Sequence, residues 1–170
     1  VRTKASVKSL VEETLAKMKI PRKVKIQDLT RKTPEIFVDT GQMTRVFENI
    51  IRNAIEAMPR GGKLEIKSER VNDSLKISFC DTGEGISKEN MSQLGSPLFT
   101  TKAKGVGMGL AICKRLIEAH GGSLRIDSKL KLGTCVTVQL PIDAENKDER
   151  LRKQDGGDTN FGEERKPSHC

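Results

Sequence analysis

Between Thr40 and Met58 the apolar residues Met43, Val46, Phe47, Ile50, Ile51, Ala54, Ile55 and Met58 fall at i, i+3, i+4 and i+7 without a break. A helix this one-sided has to lay its stripe on an apolar surface. The chain supplies one directly afterwards. Pro59 and the Gly61, Gly62 pair stop the helix, and KLEIKSE (63–69) and SLKISFC (74–80) then alternate apolar with polar residues on either side of VND, the pattern of a hairpin with one buried face.

The remaining elements fit the same layering. Val7, Leu10, Val11, Leu15 and Met18 recur at helical spacing behind Ser6 as N-cap, and Pro21 closes that run. KVKIQDL (23–29) and EIFVD (35–39) predict two strands around RKTP, a short helical piece is expected near Ser87 to Gln93, and a further helix runs through about His120. SLRIDS (123–128) and TCVTVQLP (134–141) predict the last two strands, and no internal repeat is present. The expected class is α+β: a two-layer α/β sandwich, its mixed, mainly antiparallel sheet covered by helices on one face. After Ile142 the composition turns polar, with eight acidic and six basic residues and few apolar ones, so the expected division is a domain over 1–142 and a disordered tail over 143–170.

Charge and cysteine content narrow the class further. The chain has 170 residues with 31 Lys and Arg against 23 Asp and Glu, and because the tail is net acidic the positive field belongs to the body. Such an excess raises nucleic acid as a partner, but single-strand binders stack bases on aromatic rings and this chain has five Phe, no Tyr and no Trp. A phosphate-bearing small molecule or an acidic protein fits better, and no nucleic-acid partner is expected. No segment approaches the roughly 20 apolar residues of a bilayer span and no charged-then-apolar leader opens the chain, so no membrane contact by this segment and a cytoplasmic location are expected, the parent protein being free to carry an anchor elsewhere. A first residue other than Met points to a piece of something longer. Cys80, Cys113, Cys135 and Cys170 lack the close spacing of zinc or redox motifs, and three interrupt apolar runs; they read as small core residues of a reduced protein.

Four segments carry the chemistry: ENIIRNAIEAM (48–58), DTGEGI (81–86), PLFTTK (97–102) and GVGMGLAICKRLIEAHGG (105–122). Asn49 and Asn53 stand four apart on one helix face, beside the apolar stripe. There they offer either two carboxamides to a magnesium ion and its phosphates or two polar groups to solvent. Asp81 leaves the end of a strand; a carboxylate there can accept from the exocyclic amine that adenine has and guanine lacks, or simply open a turn. GVGMGLA follows a polar loop, not a strand, which excludes a dinucleotide fingerprint. Gly105, Gly107 and Gly109 nevertheless permit a backbone that wraps oxygens, ahead of a helix whose N-terminus attracts phosphate.

In order, spacing and content these segments, with GTCVTVQLP (133–141), resemble the N box, first glycine box, F box and second glycine box of the ATP-binding domain of sensor histidine kinases, in the superfamily of gyrase, the Hsp90 chaperones and the MutL repair proteins. The resemblance covers about residues 5–142. It implies ATP and Mg2+ as ligands, with Asn53 on the metal, Asn49 and Lys102 as catalytic groups at the phosphates, and Asp81 reading adenine while Gly83 and Gly85 bring the backbone near the base. It further implies nucleotide contacts by Ile86, Thr100, Thr101, Lys102, Gly105, Val106, Gly107, Met108, Gly109, Leu110 and Thr134, with 95–109 as the ATP lid anchored by Phe99; an ordinary flexible loop with solvated lysines is the alternative for that stretch.

Two departures shape the expected reaction. The gyrase and chaperone branches carry a water-activating glutamate four residues before the metal-binding Asn, where this chain has Asn49, and Glu48 lies about 140° around the helix from Asn53. Many histidine kinases have a basic residue three positions after that Asn; here it is Glu56, as in nitrogen-regulation type sensors, which passes the neutralising role to Lys102. His120 and His169 are the only histidines, and neither is followed by Glu and an apolar residue in the manner of a phosphoacceptor. The resemblance therefore implies transfer of the γ-phosphoryl group to a histidine on a separate dimerisation domain of the parent, and indirectly a response regulator. A self-contained ATPase switch of the chaperone or repair type, and a serine-directed kinase of the anti-sigma type, are the alternatives.

Overall fold

The computed structural model describes residues 1–93 and 106–142. In chain order the elements are β1 (Thr3–Ala5), α1 (Val7–Lys17), β2 (Val24–Leu29), β3 (Ile36–Val38), α2 (Thr40–Glu56), β4 (Gly62–Val71), β5 (Ser74–Asp81), α3 (Lys88–Met91), α4 (Val106–Ala119), β6 (Ser123–Lys129) and β7 (Gly133–Pro141). Five strands form the main sheet in the order β2-β4-β5-β7-β6, with β2 parallel to β4 and every other pair antiparallel. The mixed, mainly antiparallel sheet and its single helical layer are as expected.

Each element's ends follow from local chemistry. Ser6 caps α1 through its hydroxyl, which accepts from the Ser9 N–H, and Asp39 caps α2 by accepting from the Gln42 N–H at 3.0 Å. The β4–β5 hairpin turns at Asn72 and Asp73, with Asn72 at a φ of 53°, a region that Asn tolerates better than most residues. The α2 stripe packs across β4 and β5, with Phe47 against Phe79 at a ring-centroid distance of 5.5 Å. α1 and α4 flank α2, and α4 covers β6 and β7. Along β5, Leu75, Ile77 and Phe79 point into this core while Ser74, Lys76, Ser78 and Cys80 face the uncovered side.

That alternation corrects the reading of two cysteines. Cys80 and Cys135 are opposed in the β5–β7 register, on the open face of the sheet, with Cα atoms 4.1 Å apart and a disulfide between them. They are neither core residues nor reduced, and give no ground for assigning a compartment. Cys113 is buried, as expected, and Cys170 lies outside the described residues. Also unanticipated is β1, which pairs with β3 in a small separate sheet, so the two strands expected around RKTP do not lie side by side. Among the described residues no helix is long and apolar enough to cross a membrane.

His120 is 3 % exposed at the end of α4, where it accepts the Asp39 N–H at Nε2 (3.1 Å) and donates from Nδ1 to the Leu116 carbonyl (2.7 Å). It is structural, a brace that ties the end of α4 to the cap of α2. His120→Ala leaves the Asp39 N–H without an acceptor beside the cap of α2, and should cost about 1–3 kcal/mol. An unchanged urea midpoint would remove the brace.

Candidate nucleotide site

The site is assembled along the C-terminal half of α2, which packs against α4 on one side and meets the loop after β5 at its end. Asn49 and Asn53 lie on successive turns of α2, both half-buried beside the stripe. Asn49 faces α4: a Cβ on Gly109 would stand 3.7 Å from its Oδ1, and its side chain bonds the Cys113 thiol one turn further on. Burial pushes that thiol up to about 11 against the opposing pull of Asn49, so it stays protonated and serves as packing, not as a nucleophile. The Nδ2 of Asn53 is buried and has no hydrogen-bond partner among the described residues. A buried amide left this way costs free energy unless a ligand completes it.

At the other wall, Asp81 ends β5 with 9 % exposure, and its Oδ1 accepts from the Gly83 N–H at 2.8 Å and the Thr134 N–H at 3.3 Å. The loop after Asp81 is pressed onto the end of α2, where the Glu84 N–H donates to the Ala57 carbonyl. This contact explains Gly83, since a Cβ there would come within 2.4 Å of the Ala57 oxygen. Gly85 has a φ of +68°, and its Cβ would meet the Lys129 carbonyl at 2.0 Å. Both glycines are thus required by the protein's own backbone, whatever the loop approaches.

Of the other expected positions, Ile86 donates its N–H to the Ser128 hydroxyl, and Thr134 is 9 % exposed and shares a 2.7 Å hydrogen bond with that same hydroxyl. Leu110 is buried in α4. Val106, Gly107, Met108 and Gly109 are already helical, so the glycine run expected to wrap oxygens as a loop enters α4 instead, and its N–H groups there are those a helix start leaves unpaired. Phe99, Thr100, Thr101, Lys102, Lys104 and Gly105 lie outside the described residues, as do 143–170. Sequence reasoning missed Ser128, although the SLRIDS alternation carried a signal: it sets a polar residue on the inward side with Leu124 and Ile126.

A sheet layered by helices on one face, with two carboxamides of the central helix set against the start of a second and a carboxylate at a strand end, defines a nucleotide-binding domain. Its family is recognisable by comparison. The description "Histidine kinase-, DNA gyrase B-, and HSP90-like ATPase" matches residues 38–144, and the chain belongs to that family. Sporulation kinase C of Bacillus subtilis (strain 168) is 41 % identical over 108 residues, 64 % of this chain and 25 % of that protein. Sensor histidine kinase ZraS of Escherichia coli (strain K12) is 36 % identical over 115 residues, 68 % of this chain and 25 % of that protein. Among solved structures, the catalytic domain of histidine kinase ThkA superposes with a TM-score of 0.73 at 28 % identity, over 85 % of this chain and 98 % of that one. ThkA has also been solved in complex with the response regulator protein TrrA, with a TM-score of 0.72 at 28 % identity over 85 % of this chain and 42 % of that one. The chain spans about a quarter of the length of these curated relatives, the part that holds the histidine kinase catalytic fold.

Proposed function

We propose that this domain binds Mg-ATP and donates its γ-phosphoryl group to a histidine on a separate dimerisation domain of the parent protein, which passes it to a response regulator. The observation that carries this reading is the meeting of Asn49 with Gly109, which sets the carboxamide face of α2 against the phosphate-attracting start of α4, with Asp81 on the adjoining wall. The reaction runs on the cytoplasmic side, where ATP is, whether or not the parent is anchored in a membrane.

The residues suit a magnesium ion held at the phosphates. The unpartnered Asn53 amide is an end that a ligand would complete, and a flip of the carboxamide offers its oxygen instead. Among the described residues no three carboxylates, imidazoles or thiolates converge, so the remaining oxygens of such an ion would be those of phosphate and water. When bound it would neutralise charge on the β- and γ-phosphates. The protein's own part is positioning: Asp81 holds the base, and Asn49 and the N–H groups opening α4 hold the phosphates. The incoming imidazole nitrogen then forms the N–P bond as the bond between the γ-phosphorus and the bridging oxygen breaks, releasing ADP. Asn49 in place of a carboxylate leaves water without an activating base, which favours transfer over hydrolysis.

Incubation with γ-labelled ATP and a separately expressed histidine hairpin of the same parent tests the reaction. Acid-labile, base-stable label should appear on the hairpin, in low yield because cutting the tether forfeits its effective concentration. His120 should stay unlabelled, since both ring nitrogens are engaged and the side chain is buried. Rapid phosphate release without the hairpin would instead identify a self-contained ATPase.

A further inference from the structure

We propose that Ser128 is a positioning residue of the nucleotide site: its hydroxyl sets whether Thr134 presents a hydrogen or a lone pair to the base held at Asp81. The inference rests on the proposed nucleotide reading and extends it to a residue outside the four motif segments.

Among the described residues the hydroxyl of Ser128 makes three contacts. Ser128 Oγ accepts the Ile86 N–H at 2.8 Å, lies 3.1 Å from the Gly133 carbonyl, and lies 2.7 Å from Thr134 Oγ1. Ser128 has one hydrogen to give. If it goes to Gly133, the short contact requires Thr134 to donate to Ser128, and Thr134 turns only lone pairs outward. If it goes to Thr134, the Thr134 hydrogen is released. Thr134 is bound to the wall that carries Asp81, its N–H donating to Asp81 Oδ1 at 3.3 Å. An adenine whose exocyclic amine meets Asp81 has an acceptor nitrogen on either side of that amine, N1 or N7. The second arrangement gives that nitrogen a donor while Thr134 is itself an acceptor, a chain in which each bond strengthens the next. The cost is only the longer bond to Gly133.

Ser128 also ties two walls together. Through Ile86 it holds the loop that follows Asp81, and through its own strand it holds the β6–β7 turn, where the Lys131 N–H donates to the Glu84 carbonyl at 2.6 Å. Loss of the hydroxyl strands the Ile86 N–H and unlinks Thr134 together.

Calorimetry with ATP, 1-deaza-ATP and 7-deaza-ATP on the wild-type chain, Ser128→Ala and Ser128→Thr separates this role from simple support. Ser128→Ala should lose about 10-fold or less in ATP affinity, since Thr134 keeps its hydrogen but loses the partner that orients and polarises it. Ser128→Thr should recover most of it. With whichever deaza nucleotide lacks the nitrogen facing Thr134, the loss on Ser128→Ala should nearly vanish. Equal losses with all three nucleotides, or none with ATP, would overturn the proposal. In the nucleotide-free protein, amide exchange at Ile86 should rise in Ser128→Ala and return in Ser128→Thr, and unchanged exchange would overturn it independently of any ligand. A wild-type chain that fails to bind ATP, while exchange at Ile86 responds as expected, would instead remove the nucleotide reading and the specificity role with it.

Discussion

Asn53→Ala should reduce magnesium-dependent ATP affinity on the order of 100-fold, the upper range for a contact to a charged partner, while leaving the fold intact. The two halves of this expectation have separate causes. Asn53 lies beside the stripe of α2, and its Nδ2 bonds nothing among the described residues, so truncation removes no hydrogen bond made by that nitrogen. The same unpartnered amide is what a metal–phosphate group would satisfy. Titration with ATP at fixed and at zero magnesium, with a circular dichroism melt of the variant, reads both. Unchanged affinity in a normally folded variant would remove Asn53 from the site.

The second large effect is a change of preference. Asp81 Oδ1 holds the Gly83 and Thr134 N–H groups, and in Asp81→Asn the amide oxygen can keep both. The amide then turns N–H donors toward the exocyclic amine of adenine, donor against donor, whereas guanine presents an oxygen there. ATP affinity should fall on the order of 10- to 100-fold, with GTP affected less or improved, so the ATP-to-GTP ratio moves toward guanine. Calorimetry with both nucleotides measures that ratio; an unmoved ratio would mean that Asp81 does not read the base.

How these residues come together was only partly legible beforehand. Asn49 and Asn53 were placed on one face by the 3.6-residue period of a helix whose stripe is unbroken, and α2 differs from its expected span only in ending at Glu56. The strand alternation of β4 and β5 likewise gave the hairpin, its turn and the inward set Leu75, Ile77 and Phe79. That same alternation put Cys80 on the open face, but an apolar run around it was read as core. Its partner Cys135 lies 55 residues on, opposed to it by the register of two strands that are not neighbours in sequence.

Local pattern, capping and turn chemistry are short-range, and they settled the layering and all the elements except β1. The tertiary structure alone decided which groups meet. It pairs β2 parallel to β4 and sets β1 on β3, both through contacts between distant segments. It presses Gly83 onto the Ala57 carbonyl, so that a helix end by itself already requires the glycine. It also brings Ser128 of β6 between Ile86 and Thr134, a junction of three segments. No period or spacing encodes such a junction, because each hydroxyl's partner is fixed by how β6 and β7 pack beside the loop after β5, and that packing is set by the burial of the whole core at once.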